Sequence, residues 1–159
     1  MNIWYTESPA GLLCLEEEND ALTGLHFVPG GAPELEPLPR KVRQTPLLAE
    51  AEQQLGEYFA GVRREFDLPL SPRGTVFQKA VWGQLLAIPY GERRTYGQLA
   101  AALGQPKASR AVGGACHRNP LAILIPCHRV VGAGGGLTGY AGGLAAKEYL
   151  LSLEQAYAL

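Results

Sequence analysis

The chain predicts an α+β protein, strands first and helices after, and three observations carry that prediction. Short strand-like runs, separated by turn residues, fill the first thirty positions. From residue 46 onward the apolar residues instead recur at helical spacing. The charge also reverses part-way: residues 1–71 hold 5 Lys/Arg against 12 Asp/Glu and residues 72–159 hold 9 against 3, so nets of −7 and +6 lie behind an overall −1.

The elements follow in order. Ile3–Thr6, Leu12–Leu15 and Ala21–Val28 read as an antiparallel meander, broken by Pro9-Ala10-Gly11 and by an acidic turn from Glu16 to Asp20. Residues 29–46 hold five of the twelve prolines and read as a loop. Leu47, Leu48, Ala51, Leu55, Tyr58 and Phe59 mark an amphipathic helix over 46–60, and Arg64–Leu68 an edge strand. Pro69–Gly74 coincides with the charge switch and divides the chain into an N-terminal lobe, 1–71, and a C-terminal lobe, 72–159. Beyond it, Val76, Phe77, Ala80, Val81, Leu85 and Ile88 form one helical stripe ending at Pro89-Tyr90-Gly91. Thr95 and Gln98 form a capping-box pattern that opens a short helix, stopped by Gly104. Pro106 opens another, from Lys107 to about Cys116, and a closing helix from Leu144 carries Lys147, Glu148 and Glu154.

An apolar content of 47% supports a packed core without staples. Three widely spaced cysteines, Cys14, Cys116 and Cys127, fit reduced thiols better than a disulfide framework. No apolar run approaches the ~20 residues of a membrane span, and Met1–Glu7 lacks the features of a signal peptide. A soluble cytoplasmic protein, a monomer, is expected. The three histidines and three cysteines show no paired ligand spacing, so neither a metal nor a cofactor is expected. The basic half suits a polyanion such as nucleic acid; two solvated surfaces of opposite sign are the alternative.

Two stretches carry chemistry. The helix pair joined by Gly104-Gln105 resembles a helix-turn-helix, a pattern that ordinary helix packing also produces. Its second helix is lean: Lys107 and Arg110 near the start, then Ala111, Gly113, Gly114 and Ala115 with almost no bulk. Such a helix either approaches a partner surface closely or packs its small face inside the protein. In the other stretch, the apolar run ending Ile123-Leu124-Ile125 stops at Pro126 and gives way to Cys127-His128-Arg129. Cys127 is then either an inert core thiol or a nucleophile at a pocket wall. A cysteine attacks as thiolate, from an ordinary pKa near ~8.5, so it needs a base or a positive neighbour. On an extended strand His128 points away from Cys127, so the pair needs a turn or a bridging water, and Glu154 is a candidate to orient the imidazole. The glycine-rich run from Gly132 to Gly143 lacks a phosphate-loop pattern and fits the wall of a substrate pocket.

Ile125-Pro126-Cys127-His128-Arg129-Val130 resembles the active-site signature of the O6-alkylguanine-DNA alkyltransferases, the methylated-DNA–protein-cysteine methyltransferases. The likeness extends through Thr95–Ala100, Ser109–Ala115, Arg118-Asn119-Pro120 and Tyr140–Leu144 to Lys147-Glu148, covering roughly residues 72–155. It implies a small antiparallel-sheet N-terminal lobe and a helical C-terminal lobe with a winged-helix-like helix-turn-helix. It implies double-stranded DNA containing O6-alkylguanine as partner, with the damaged base flipped into a pocket and its alkyl group moved to the protein. Cys127 matches the alkyl acceptor, His128 the histidine acting through water, and Glu154 the carboxylate that orients it. Asn119 matches the hinge asparagine, Tyr96 the tyrosine beside the target nucleotide, and Arg110 the arginine that fills the vacated base stack. Tyr140 and Ala141 fall on the pocket loop, and Lys107, Ala111 and Gly113 on the helix that enters the minor groove.

The chain departs from the family pattern at two positions. Ala141 stands where some relatives have serine, which leaves only a backbone N–H to bind O6 there. Ala122 stands where some have a second proline. The thioether product has no good leaving group, so each molecule is expected to act once, on O6-alkylguanine and on O4-alkylthymine. Three rivals make different predictions: a catalytically silent damage-binding module, a helix-turn-helix regulator, and a many-turnover cysteine hydrolase.

Overall fold

A computed structural model describes residues 1–31, 33 and 40–158. Its first half is a four-stranded sheet of order β3-β2-β1-β4. The strands are β1 Asn2–Thr6, β2 Leu13–Glu18, β3 Ala21–Phe27 and β4 Lys41–Val42. β1, β2 and β3 form the expected antiparallel meander. The acidic stretch is shorter as a turn than the sequence suggests. Glu16–Glu18 continue β2, and only Asn19 and Asp20 turn the chain, both at positive φ (53° and 61°), as a two-residue hairpin loop requires. A bulge opposite Glu16 and Glu17 makes Thr23 an extra residue in β3. Leu22 and Leu25, three positions apart, therefore both reach the core.

The expected loop over 29–46 is corrected at its far end. Lys41–Val42 pair in parallel with β1 as β4, a strand too short to leave a periodic signal. The middle of that loop, Ala32 and residues 34–39, lies outside the described residues. Thr45 then caps α1, Pro46–Phe59, accepting from the N–H of Leu48 at 3.2 Å. The buried face of α1, including Leu48, Ala51, Leu55 and Tyr58, lies on the sheet leucines.

Arg64–Leu68 is not a strand. The side-chain amide of Gln54 takes both backbone groups of Asp67, accepting from its N–H at 2.9 Å and donating to its C=O at 3.1 Å. Those groups have no need of a sheet partner. Beyond Asp67 the chain forms an isolated bridge to β3 at Leu70, through Leu22 N–H to Pro69 O and Ser71 N–H to Leu22 O, each 2.8 Å.

The second half holds α2 Val76–Leu86, β5 Arg94–Thr95, α3 Tyr96–Ala102, α4 Ser109–His117, β6 Val130–Val131 and α5 Leu144–Tyr157. The Thr95/Gln98 capping box is formed in both directions, at 3.1 and 2.8 Å, and Thr75/Gln78 forms a second one on α2. α3 ends as the sequence requires: Gly104 takes φ 72°, and Gln105 N–H reaches back to Ala100 O at 2.9 Å. α4 begins at Ser109, two residues after Lys107, because Gln105–Ala108 forms a separate turn closed by Ala108 N–H to Gln105 O. The indole N–H of Trp82 on α2 donates to Ala115 O on α4 at 2.9 Å and fixes the helix pair. β5 leads into α3 and pairs in parallel with β6.

One hydrophobic cluster runs through the sheet, α1, α2 and the segment Leu121–Ile125. That segment also hydrogen-bonds to the edge of β3, through Leu25 N–H to Pro120 O at 2.9 Å and Ala122 N–H to Leu25 O at 3.0 Å. Among the described residues no helix is long and apolar enough to cross a membrane.

Candidate active site

The apolar run enters its turn under strain. Ile123, a β-branched residue, is buried at φ 70°, a conformation that costs about 1–3 kcal/mol unless its surroundings enforce it. Leu124 N–H to Ala122 O and Ile125 N–H to Leu121 O, at 2.8 and 2.9 Å, hold it there. Pro126, at φ −79° and ψ 64°, makes a three-residue turn in which Cys127 N–H donates to Ile125 O at 2.8 Å. Cys127–Arg129 is then a single 3-10 turn, so the chain does bend at the position where a Cys–His pair would need it. Asn119 ties the turn together. Its Nδ2 donates to Ile125 O at 2.8 Å and to Cys127 Sγ at 3.2 Å, while its Oδ1 accepts from Leu121 N–H at 3.0 Å.

His128 is directed away from the thiol and into the protein. It is fully buried, and its Nε2 lies 2.6 Å from Glu154 Oε2. Glu154, 1% exposed, is the hub of the site. Arg129 donates to it twice, from Nε at 2.7 Å and from the guanidinium end at 3.0 Å, and also caps Ile88 O at 2.7 Å. Tyr58 Oη donates at 2.6 Å and Gly91 N–H at 3.3 Å. Burial alone would raise the Glu154 pKa, but the hydrogen bonds and charges of His128 and Arg129 outweigh it and hold the carboxyl down to about 2. Burial keeps His128 neutral, against the pull of Glu154. With Nε2–H given to Glu154, Nδ1 carries the free lone pair, and it has no hydrogen-bond partner among the described residues.

Cys127 itself is half-buried and opens onto a cavity of about 20 Å3, lined by Tyr96, Gly113, Asn119, Tyr140 and Ala141 and by Cys116. Burial pushes its thiol up, opposed by the Asn119 hydrogen bond and the positive charge of Lys147. Cys116 is raised to about 12, by burial first, and Cys14 is buried within β2. Tyr140 packs edge-on against Phe27 of β3, with ring centroids 5.8 Å apart, and its hydroxyl has no partner among the described residues. Gly142 allows that packing: a Cβ there would come within 2.5 Å of the Phe27 ring.

α4 presents part of its small residues outward, with Gly113 half-buried and Ala115 buried in the core. Ala111 and Gly114 are exposed, as are Lys107, Arg110 and Arg118, and none of those three cations forms an ion pair among the described residues. A Cβ on Gly114 would meet nothing within 4 Å, so packing inside the protein accounts for the small size of Ala115 but not for the glycine at 114.

Family models match both halves of the chain. The 6-O-methylguanine DNA methyltransferase DNA binding domain matches residues 76–156, and the ribonuclease-like domain of the same family matches residues 3–72. The chain belongs to the 6-O-methylguanine DNA methyltransferase family. A methylated-DNA–protein-cysteine methyltransferase of Methanosarcina acetivorans is 51% identical over 93% of this chain and 94% of its own. The constitutive methylated-DNA–protein-cysteine methyltransferase of Bacillus subtilis is 49% identical over 98% and 96%. A crystal structure of Mycobacterium tuberculosis OGT in complex with DNA superposes with a TM-score of 0.89 at 43% identity, covering 99% of this chain and 94% of that one.

The expected site residues thus fall into two groups. Cys127, Asn119, Tyr96, Tyr140, Ala141 and Gly113 surround one cavity, with His128 and Glu154 buried behind it. Lys107, Arg110 and Ala111 lie on the exposed surface of the helix-turn-helix. Tyr58 was not expected at the site: in sequence it is one more aromatic in the α1 stripe, 96 positions from the carboxylate it serves.

The buried pair sets an acid limit. His128 and Glu154 both bind protons less readily in the fold than in the unfolded chain, so falling pH destabilises the protein. The His128 contribution is complete above its ordinary 6.5 and is lost below it; that of Glu154 is complete above 4.5 and is lost toward about 2. The urea midpoint is expected to fall in two stages from about pH 7 to pH 3, the upper stage absent in His128→Gln. A flat midpoint over that range would contradict this assignment.

Proposed function

We propose that this protein repairs DNA by moving the alkyl group of O6-alkylguanine directly onto Cys127. One observation carries the reading: the thiol opens onto the cavity, and the imidazole of the next residue has its Nε2 occupied by a buried carboxylate and its Nδ1 free among the described residues. The thiol rests protonated, because burial raises its pKa. A water between Cys127 and Nδ1 carries the proton to His128, and Glu154 stabilises the imidazolium that forms. Asn119 Nδ2, already 3.2 Å from Sγ, then stabilises the thiolate. The sulfur attacks the alkyl carbon, the C–O6 bond breaks, and its electron pair passes to the guanine. Tyr96 donates a proton to that base, and the backbone N–H of Ala141 binds O6. The thioether has no good leaving group, so each molecule reacts once.

A cavity of about 20 Å3 holds a single water. In this reading the flipped guanine enters beside Tyr96 and the glycine-rich loop, and Tyr140 lies against the alkyl group. Arg110, exposed near the start of α4, fills the vacated stack. Ala111 and Gly113 let the helix sit deep in the minor groove, with Lys107 on phosphate. The reading keeps the two lobes, 1–71 and 72–159, which the separate family matches support. It extends to O4-alkylthymine and to a monomer working in the cytoplasm.

The test is an intact mass after incubation with duplex DNA containing O6-methylguanine. The expected result is a single gain of about 14 Da mapping to Cys127, absent in Cys127→Ala. Tight DNA binding with no gain in mass would replace this reading with a silent binding module. Repeated turnover on an ester or amide would replace it with a hydrolase.

A further inference from the structure

Lys147 on α5 is a buried cation that the reaction as described uses only at a distance. It is 1% exposed and forms no ion pair among the described residues. Its Nζ instead donates to two atoms of one residue on the glycine-rich loop, Thr138 O at 3.2 Å and Thr138 Oγ1 at 3.4 Å. That same Oγ1 lies 2.6 Å from the hydroxyl of Tyr96, which lines the Cys127 cavity.

The first member of this chain of hydrogen bonds fixes only its own direction. An ammonium has three N–H donors and no acceptor, so Thr138 Oγ1 accepts from Lys147. The Thr138 hydroxyl keeps its own proton and a second lone pair, so it can either donate to Tyr96 Oη or accept from it. With Thr138 as the donor, the proton of Tyr96 has no other partner among the described residues and sits on a hydroxyl at the wall of the cavity.

We propose that Thr138 is the positioning residue for Tyr96: its hydroxyl passes the polarity of Lys147 to the tyrosine and turns the Tyr96 O–H toward the departing guanine. The proposal rests on the reading of Tyr96 as proton donor. As sulfur–carbon bonding advances and the C–O6 bond breaks, the electron pair enters the guanine ring and the Tyr96 proton goes to a ring nitrogen. The tyrosinate so formed accepts a hydrogen bond from Thr138 beside the Lys147 charge, and solvent restores its proton after the base has left. The hydrogen bond from Thr138 lowers the Tyr96 pKa, against the larger effect of burial, which raises it. That is the sense expected of a group that favours the tyrosinate.

The experiment compares second-order rate constants on duplex O6-methylguanine DNA, with affinity for undamaged duplex as a control for folding. Thr138→Val keeps the shape and removes the hydroxyl; Thr138→Ser keeps the hydroxyl. Tyr96→Phe is expected to slow transfer about a hundredfold and Thr138→Val about tenfold, with Thr138→Ser within about twofold of the wild type and DNA affinity unchanged in the two Thr138 variants. In the Tyr96→Phe background Thr138→Val is expected to cost nothing more, because the group it positions is gone. A wild-type rate in Thr138→Val with a slow Tyr96→Phe would overturn the role of Thr138 alone. So would an undiminished loss from Thr138→Val in the Tyr96→Phe background, or a Thr138→Ser as slow as the valine variant. A wild-type rate in Tyr96→Phe would overturn the donor reading and this proposal with it.

Discussion

Replacing Glu154 by alanine is expected to cost the fold about 3–5 kcal/mol, the cost of leaving a buried charge without its partner. The loss falls on several groups at once. Among the described hydrogen bonds Arg129 keeps only that to Ile88 O, the buried Tyr58 and His128 lose an acceptor, and so does the N–H of the exposed Gly91. Set against a total stability of about 5–15 kcal/mol, such a loss leaves a marginal protein. Whatever folded fraction remains is expected to transfer alkyl groups about a hundredfold more slowly or worse, because the imidazole is no longer held in one tautomer. Urea denaturation and single-turnover rates measure the two effects separately. A loss of less than about 1 kcal/mol would mean that Arg129 finds another partner and that Glu154 is not the hub described.

Gly114→Leu is expected to do the reverse, sparing the fold and disabling the function. The position is helical and exposed, and a Cβ there meets nothing within 4 Å, so the fold tolerates a side chain and helix propensity improves by up to about 1 kcal/mol. Against a minor groove roughly 6 Å wide the same side chain obstructs close approach, and duplex affinity is expected to fall at least about tenfold. Thermal melting and fluorescence anisotropy with a labelled duplex read the two outcomes. Unchanged affinity would show that this face of α4 does not meet DNA.

Much of this was legible because it is local. The Thr95/Gln98 box and the Gly104 stop are complete within a few residues, and the structure forms both. The meander was legible from short apolar runs broken by turn residues, although the sequence placed its second turn too broadly. What escaped detection depends on partners far away in the chain. Arg64–Leu68 has the composition of a strand, but Gln54 satisfies the backbone of Asp67. β4 exists only because β1 is beside it. Cys127, His128 and Glu154 were found through sequence signature, whereas Tyr58 and Thr138 carry no signature and gain meaning only from the atoms they touch. His128 shows the limit of adjacency: it neighbours Cys127 in sequence, yet its described hydrogen bond is to a carboxylate on the last helix.

The hydrogen bonds between β3 and the residues around Leu121 bear on how the molecule comes into being. A ribosome completes β1, β2 and β3 when most of the chain is still unmade, and β3 then stands at the border of the sheet with Leu22 and Leu25 unsheltered. Pro69 and Ser71 occupy part of that border early, and Pro120 and Ala122 close the rest only after three more helices have been synthesised. Until then the nascent chain offers an open β-edge of the kind that invites association with other chains. The stretch that leads into Cys127 is thus also the shield of the sheet, so a stalled or truncated product is both without that thiol and adhesive.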